Sequence, residues 1–223
     1  SQSDFKRAAR PISGQREEMK MAEGVVYSIG SRAEAPHTIS FKPLDGNYKK
    51  IGYVDRTFDM GHTPLFDTGE MYAGRAVKPD HVPTRAEWGS KRYPVPDAVL
   101  SYAMYFVSEA FKDIIERHEP GVHQFFPVEV VYKDGSFARQ MYFFNICHRL
   151  DTMDRERATA EFKKGLAFDP STGEFVFSLE KIGNAHAWVD KHVIYGRYLS
   201  STVVDEMKQQ GLTGIVFNPD RAV

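Results

Sequence analysis

From about residue 100 onward the chain alternates between two hydrophobic periods, one of two residues and one of three to four. YAMYFV (102–107) is apolar and β-prone and reads as a strand. Ser108 then stands where a helix N-cap is wanted, ahead of Phe111, Ile114, Ile115 and His118 on one helical face, and Pro120 with Gly121 ends the helix. VHQFFPVEVVY (122–132) and FARQMYFFNIC (137–147) flank KDGS, where Asp134-Gly135 supplies the positive-φ residues of a tight turn, so a β-hairpin is predicted. GLAF (165–168) and EFVFSL (174–179) around DPSTG suggest a second hairpin. HVIYGRYL (192–199) reads as a strand leading to a helix capped by Ser200, with Val203, Val204 and Met207 inward and Gly211 as its stop; GIVFNP (214–219) closes the pattern as a strand.

The first hundred residues have a weaker pattern. VVYSI (25–29) is a convincing strand and KIGYV, ending at Val54, a fainter one, whereas Asp55 to Asp97 carries five prolines and no sustained apolar period. A stretch that long without regular structure is commonly functional. The expected organisation is a polar N-terminal arm or short helix over 1–24 and a single α+β domain over 25–223, with a loop-rich region at 55–97. Its sheet should be mixed or mainly antiparallel, with both helices packed on a shared core. Sliding 108–127 onto 200–219 without a gap aligns Ser108 with Ser200, Asp113 with Asp205, Phe125 with Phe217 and Pro127 with Pro219, which suggests a duplicated strand-helix-strand unit.

Composition narrows the function more than the fold. Twenty-nine Lys and Arg against thirty Asp and Glu leave a net charge of −1, so the chain has no basic footprint for nucleic acid and no polybasic run for an anionic membrane surface. No apolar run is long enough to span a bilayer and the N-terminal segment lacks a signal-peptide core, from which a cytoplasmic location is expected. The lone cysteine, Cys147, excludes an internal disulfide; its aromatic and aliphatic neighbours predict a buried, inert thiol.

Candidate chemistry is sparse. His118 and His123 are five apart across a Pro-Gly reversal, a spacing that fits neither a helical zinc pair nor a finger, and they read as helix-end scaffolding; His186 and His192 read likewise. Cys147 and His148 are neighbours in an extended run, so their side chains should point apart and not form a dyad. Asp151 and Asp154 would align on a helix for a divalent cation or acid-base work, but they read equally as the solvated first turn of a helix carrying Arg155 and Arg157. No P-loop, dinucleotide turn or nucleophile elbow is present in the sequence.

The segments FVSEAFKDIIERHEPGVHQFFPVEVVYKDG, YFFNICHRLDTMDRE and YLSSTVVDEMKQQGLTGIVFNP carry a further signal. Together they resemble a large family of bacterial immunity proteins from polymorphic toxin systems, over most of residues 100–220. The resemblance implies a non-enzymatic effector-immunity partner, of the kind met with type VI secretion, that binds a cognate protein toxin and blocks it. It transfers no catalytic residue, metal or cofactor, and with no export signal the toxin is expected to act in the cytosol.

An immunity interface must discriminate among toxins, and loops vary without disturbing a core. The loop-rich region mixes Asp59, Asp67, Glu70 and Asp80 with Phe58, Phe66, Tyr72 and Trp88, and these are the candidate toxin-binding residues. The competing reading is that the aromatics only pin a long loop to the core. Two other functions stay open: a metal-assisted hydrolase using Asp151 and Asp154, and a secretion-system interaction module that inhibits nothing.

Overall fold

The computed structural model describes residues 24–31, 38–61, 73–163 and 166–223. Along the chain these form β1 (Gly24–Gly30), β2 (Phe41–Pro43), β3 (Arg85–Trp88), β4 (Ala98–Ser101), β5 (Met104–Val107), α1 (Glu109–His118), β6 (Gln124–Tyr132), β7 (Phe137–Asn145) and β8 (Arg149–Leu150). Then come β9 (Phe162–Lys163), β10 (Ala167–Phe168), β11 (Val176–Phe177), α2 (Leu179–Ile182), β12 (Ala187–Asp190), β13 (Arg197–Ser200), α3 (Ser201–Gln209) and β14 (Val216–Ala222). The fold is α+β and mostly sheet, with parallel and antiparallel pairs, as the sequence pattern predicts. The arm expected over 1–24 lies almost wholly outside the described residues.

Two six-stranded sheets carry the structure. One runs β11-β14-β1-β13-β12-β8, the other β2-β3-β6-β7-β5-β4. The second curls until its ends meet, the Ser101 hydroxyl donating to the Phe41 carbonyl at 2.8 Å, and wraps Trp88, Phe106, Val128, Val130, Met141 and Phe143 inside. Its outer face and the first sheet share another core, in which Phe111, Ile114 and Ile115 of α1 meet Val203, Val204 and Met207 of α3. The helices thus lie on different sheets but bury their apolar faces together, where a single sheet was expected. Met153, Phe168, Phe177, Trp188 and Tyr198 fill a third cluster on the far side of the first sheet.

The suspected duplication is visible in the strand registers. β5 and β6 flank β7, antiparallel to both; β13 and β14 flank β1 in the same way. Tyr142 of β7 stands opposite Val107 and Pro127, and Tyr27 of β1 stands opposite Leu199 and Pro219, the aligned residues of the other unit. Two residues on, Phe144 faces Phe125 and Ile29 faces Phe217, so the correspondence extends along the strands.

Local chemistry explains where the sequence pattern holds and where it fails. Ser108 caps α1 by accepting from the Phe111 N–H at 3.3 Å. Ser200 occupies the N-cap of α3, but its hydroxyl is engaged by His186 Nδ1 at 2.8 Å instead of an amide of the helix. In the β6–β7 turn only Gly135 has a positive φ, 83°, and its N–H reaches the Tyr132 carbonyl; Asp134 instead accepts from Ser136, giving a bulged turn in place of a two-residue one. YAMYFV is broken after Tyr102-Ala103, both at positive φ, which turn β4 into β5 with no glycine to announce it. HVIYGRYL is strand only from Arg197, after a turn in which Tyr195 has a positive φ, and KIGYV follows a 3-10 turn at Tyr48–Lys50 with a single bridge from Tyr53 to Val77. The second hairpin does not form: β10 pairs with β9, and β11 joins β14 in parallel. At Gly214, φ 79°, a side chain would run into the Ala98 carbonyl; the neighbouring Thr213 N–H is held by Asp97, which also grips Arg139.

Candidate functional site

The loop-rich region is anchored more firmly than its composition suggests. Arg149, whose side chain is only 4% exposed, reaches from β8 to Asp59 with Nε and Nη2, at 2.9 Å to Oδ2 and 2.8 Å to Oδ1, while its Nη1 donates to the Ala73 carbonyl. Arg75 lies 3.3 Å from Asp59 and also meets Asp55. Although partial burial of Asp59 works against ionisation, the Arg149 hydrogen bonds and the surrounding positive charge hold its carboxyl below the usual range. Asp59 is therefore an anchor, and the loop it fixes holds Val54, Phe58 and Met60 out to solvent, Phe58 at 66% exposure.

The other candidates separate. Asp80 is exposed in the turn closed by Val82 N–H on the Pro79 carbonyl. Trp88 is 1% exposed in β3, its indole donating to the Tyr93 carbonyl at 2.7 Å, so it pins the chain to the core, which was the competing reading of these aromatics. Phe66, Asp67, Glu70 and Tyr72 lie outside the described residues.

At the junction of the two sheets the structure gathers residues that sequence spacing kept apart. Glu119, at the C-cap of α1, is buried; its Oε2 accepts from His123 Nε2 and from the Ala187 N–H, each at 2.8 Å. His148 Nδ1 lies 3.1 Å from the other oxygen. Burial opposes ionisation of Glu119, but hydrogen bonds from His123 and a backbone amide, with nearby charge, hold its pKa below the ordinary value. His118 completes the surround, bonding Glu206 at 2.9 Å and lying 4.9 Å ring to ring from His186.

One ligand atom each of Glu119, His123 and His148 lie within 4.8 Å of one another, close enough for a metal. The hydrogen bonding argues otherwise. The Cys147 N–H donates to His123 Nδ1 at 3.0 Å, which leaves that nitrogen its lone pair and puts the proton on Nε2, facing Glu119. A metal on Nε2 would force the proton to Nδ1, against the Cys147 N–H. Through His123 and the Ala187 N–H, Glu119 ties α1, β6 and β12 together. The expectation of scaffolding at His118 and His123 agrees with this arrangement, while the convergence of His148 and Glu119 on His123 has no signature in sequence spacing.

Asp151 and Asp154 do not form a joint site. They sit in a turn, not a helix; Asp151 pairs with Arg155 at 3.0 Å and Asp154 with Arg157 at 2.8 Å. Cys147 is half-buried, less than expected. Burial, opposed by hydrogen bonds at Gln124 and Asn145, pushes its thiol up to about 11. Its sulfur lies near Gln124 and Asn145 while His148 turns to Glu119, so the two side chains do point apart.

Residues 71–221 match the model of an immunity protein family, Imm11. The chain belongs to the Imm11 family of immunity proteins. The Imm11 match spans α1, α3, the β5–β7–β6 registers and the histidine junction, and it begins beyond β1 and the Phe58 loop. A search of curated proteins found no match. Among the described residues no helix is long and apolar enough to cross a membrane.

Proposed function

We propose that the protein is a non-enzymatic immunity protein that binds and neutralises a cognate protein toxin acting in the cytosol, and that the toxin docks on residues 54–61 and the surface leading from them. Membership of the Imm11 family carries the reading. The geometry supports it in two ways. Asp151 and Asp154 are each taken up by an arginine, and both ring nitrogens of His123 are committed to Glu119 and the Cys147 N–H. The Phe58 loop offers apolar side chains on a backbone fixed by Asp59, so little order has to be gained on binding. We keep Phe66, Asp67, Glu70, Tyr72 and Asp80 as further candidate contacts on the sequence argument, whereas Trp88 is buried and serves the core. A net charge of −1 directs attention to local complementarity in place of bulk attraction.

The test is coexpression of this chain with the toxin encoded beside it, followed by binding of the purified pair. Growth rescue with a stable complex is expected. Rescue without binding would overturn the proposed mode of action, and binding without rescue would make the protein an interaction module of the secretion machinery.

A further inference from the structure

A cleft of about 660 Å³ opens on the outer face of the first sheet, remote in sequence from the Phe58 loop. Ser28, Asn218 and Asp220 form its polar side; Phe175, Tyr198 and the Ile194–Tyr195 turn form its apolar walls. Ser28 pairs with Asn218 and Val26 with Asp220 across β1 and β14, so the three polar residues share one face of the sheet.

Asp220 is the anomaly. Asp59, Asp97, Asp154 and Asp190 each accept hydrogen bonds on their carboxylates, yet the side chain of half-buried Asp220 makes no hydrogen bond or ion pair among the described residues. Removing a carboxylate from water without a partner is costly, and here burial alone raises its pKa. Tyr195, which also lines the cleft, has φ 56°, a conformation that disfavours a bulky residue, while the residue remains 62% exposed. Ile194 is 45% exposed as well. Strain and exposure together at an aromatic side chain recur where a ligand is clamped.

We infer that this cleft receives an arginine side chain of the protein partner, the guanidinium meeting the Asp220 carboxylate between the aromatic walls while an apolar neighbour of that arginine covers Ile194 and Tyr195. A carboxylate with both oxygens uncommitted matches the fork of a guanidinium, whose flat face also stacks on aromatic rings; an ammonium uses only the charge. Ser28 and Asn218 add polar groups on the same face. Glu174 at the rim strengthens the field, and Arg221, which also borders the cleft, is the next position along β14 and so points to the opposite face. The cleft adjoins the proposed docking loop, because Gly61 packs on the backbone of Lys191, three residues before Ile194. The inference rests on the immunity reading for the identity of the partner that supplies the arginine.

Two measurements test it independently of each other. Titrating the protein with N-acetyl-L-arginine amide should give saturable amide shifts at Ser28, Tyr195 and Asn218, and the neutral citrulline analogue should give none. Asp220→Asn should stay folded by circular dichroism, with an unchanged or higher melting temperature, and bind the arginine probe at least about tenfold more weakly. Tyr195→Gly, which relieves the positive-φ strain, should be more stable yet also bind the probe less well. In the complex, Asp220→Asn should weaken toxin affinity at least about tenfold. Equal shifts from citrulline, or no shifts, would refute the inference, and so would unchanged toxin affinity in folded Asp220→Asn. A wild-type protein that binds the probe but no toxin would sink the immunity reading and leave the cleft's specificity established.

Discussion

Arg149 and Asp59 are ninety residues apart in sequence, and the guanidinium grips both carboxylate oxygens. That pair joins the family-matched part of the chain to the loop that precedes it. Asp59→Ala would strip the buried Arg149 side chain of its bidentate carboxylate and leave Asp55 as the carboxylate at Arg75. A fully buried pair would lose more; because Asp59 is partly solvated, about 1–3 kcal/mol of stability is expected to go. Amide exchange at residues 55–60 should accelerate and toxin affinity should fall, while Asp59→Glu restores much of both. Wild-type exchange rates in Asp59→Ala would remove its anchoring role.

Phe58→Ala and Trp88→Ala should behave oppositely. Phe58 is exposed, so its truncation should leave the melting temperature nearly unchanged and weaken toxin binding at least tenfold, about 1.4 kcal/mol. Trp88 is enclosed by the curled sheet and its loss should cost about 3–5 kcal/mol of stability. Differential scanning calorimetry with a binding titration separates them. A folded Phe58→Ala of native affinity would move the toxin interface away from this loop.

The contrast marks what a sequence can reveal. The helices from Ser108 and Ser200, the β6–β7 hairpin and the strand-helix-strand repeat were all legible, because caps, glycine turns and apolar periods are local or simply repeated. Turns at Tyr102-Ala103 and Tyr195 were not, since the left-handed backbone there is imposed by surrounding structure on residues that disfavour it. The roles of Asp59 and Trp88 were also hidden: a charge and an aromatic in a proline-rich stretch look alike whether they face a partner or the core. Glu119, His123 and His148 converge only after the two sheets pack, so their network leaves no spacing to read.

Cys147 should be sluggish toward alkylating reagents. A thiol raised to about 11 holds little thiolate at neutral pH, and half-burial slows access further. Iodoacetamide at about pH 7.5 should react at least tenfold more slowly with the native protein than with the urea-unfolded chain. Cys147→Ser should lower stability modestly and preserve toxin neutralisation. Equal native and unfolded rates would show that the site is open.

Acid should weaken the sheet junction in two stages. His186 is held below its ordinary pKa of 6.5, first by burial; Glu119 pulls the other way and His118 adds to the depression. Between the depressed folded value and 6.5 the unfolded chain binds the proton more readily, so the stability contribution of neutral His186 is whole above about 6.5 and declines as pH falls below it. Glu119 acts lower. Despite the opposing effect of burial, hydrogen bonds from His123 and the backbone depress its pKa below 4.5, so its contribution is present above 4.5 and is lost as pH falls from there through the folded value. Urea midpoints measured from about pH 8 to pH 3 should therefore fall first below 6.5 and more steeply below 4.5. His186→Gln should flatten the first stage and retain the second. Glu119→Gln should start lower at neutral pH, by about 1–3 kcal/mol for the lost charged hydrogen bonds, and show a shallower second stage. If His186→Gln tracks the wild type from about pH 8 to pH 5.5, His186 has no part in the acid response.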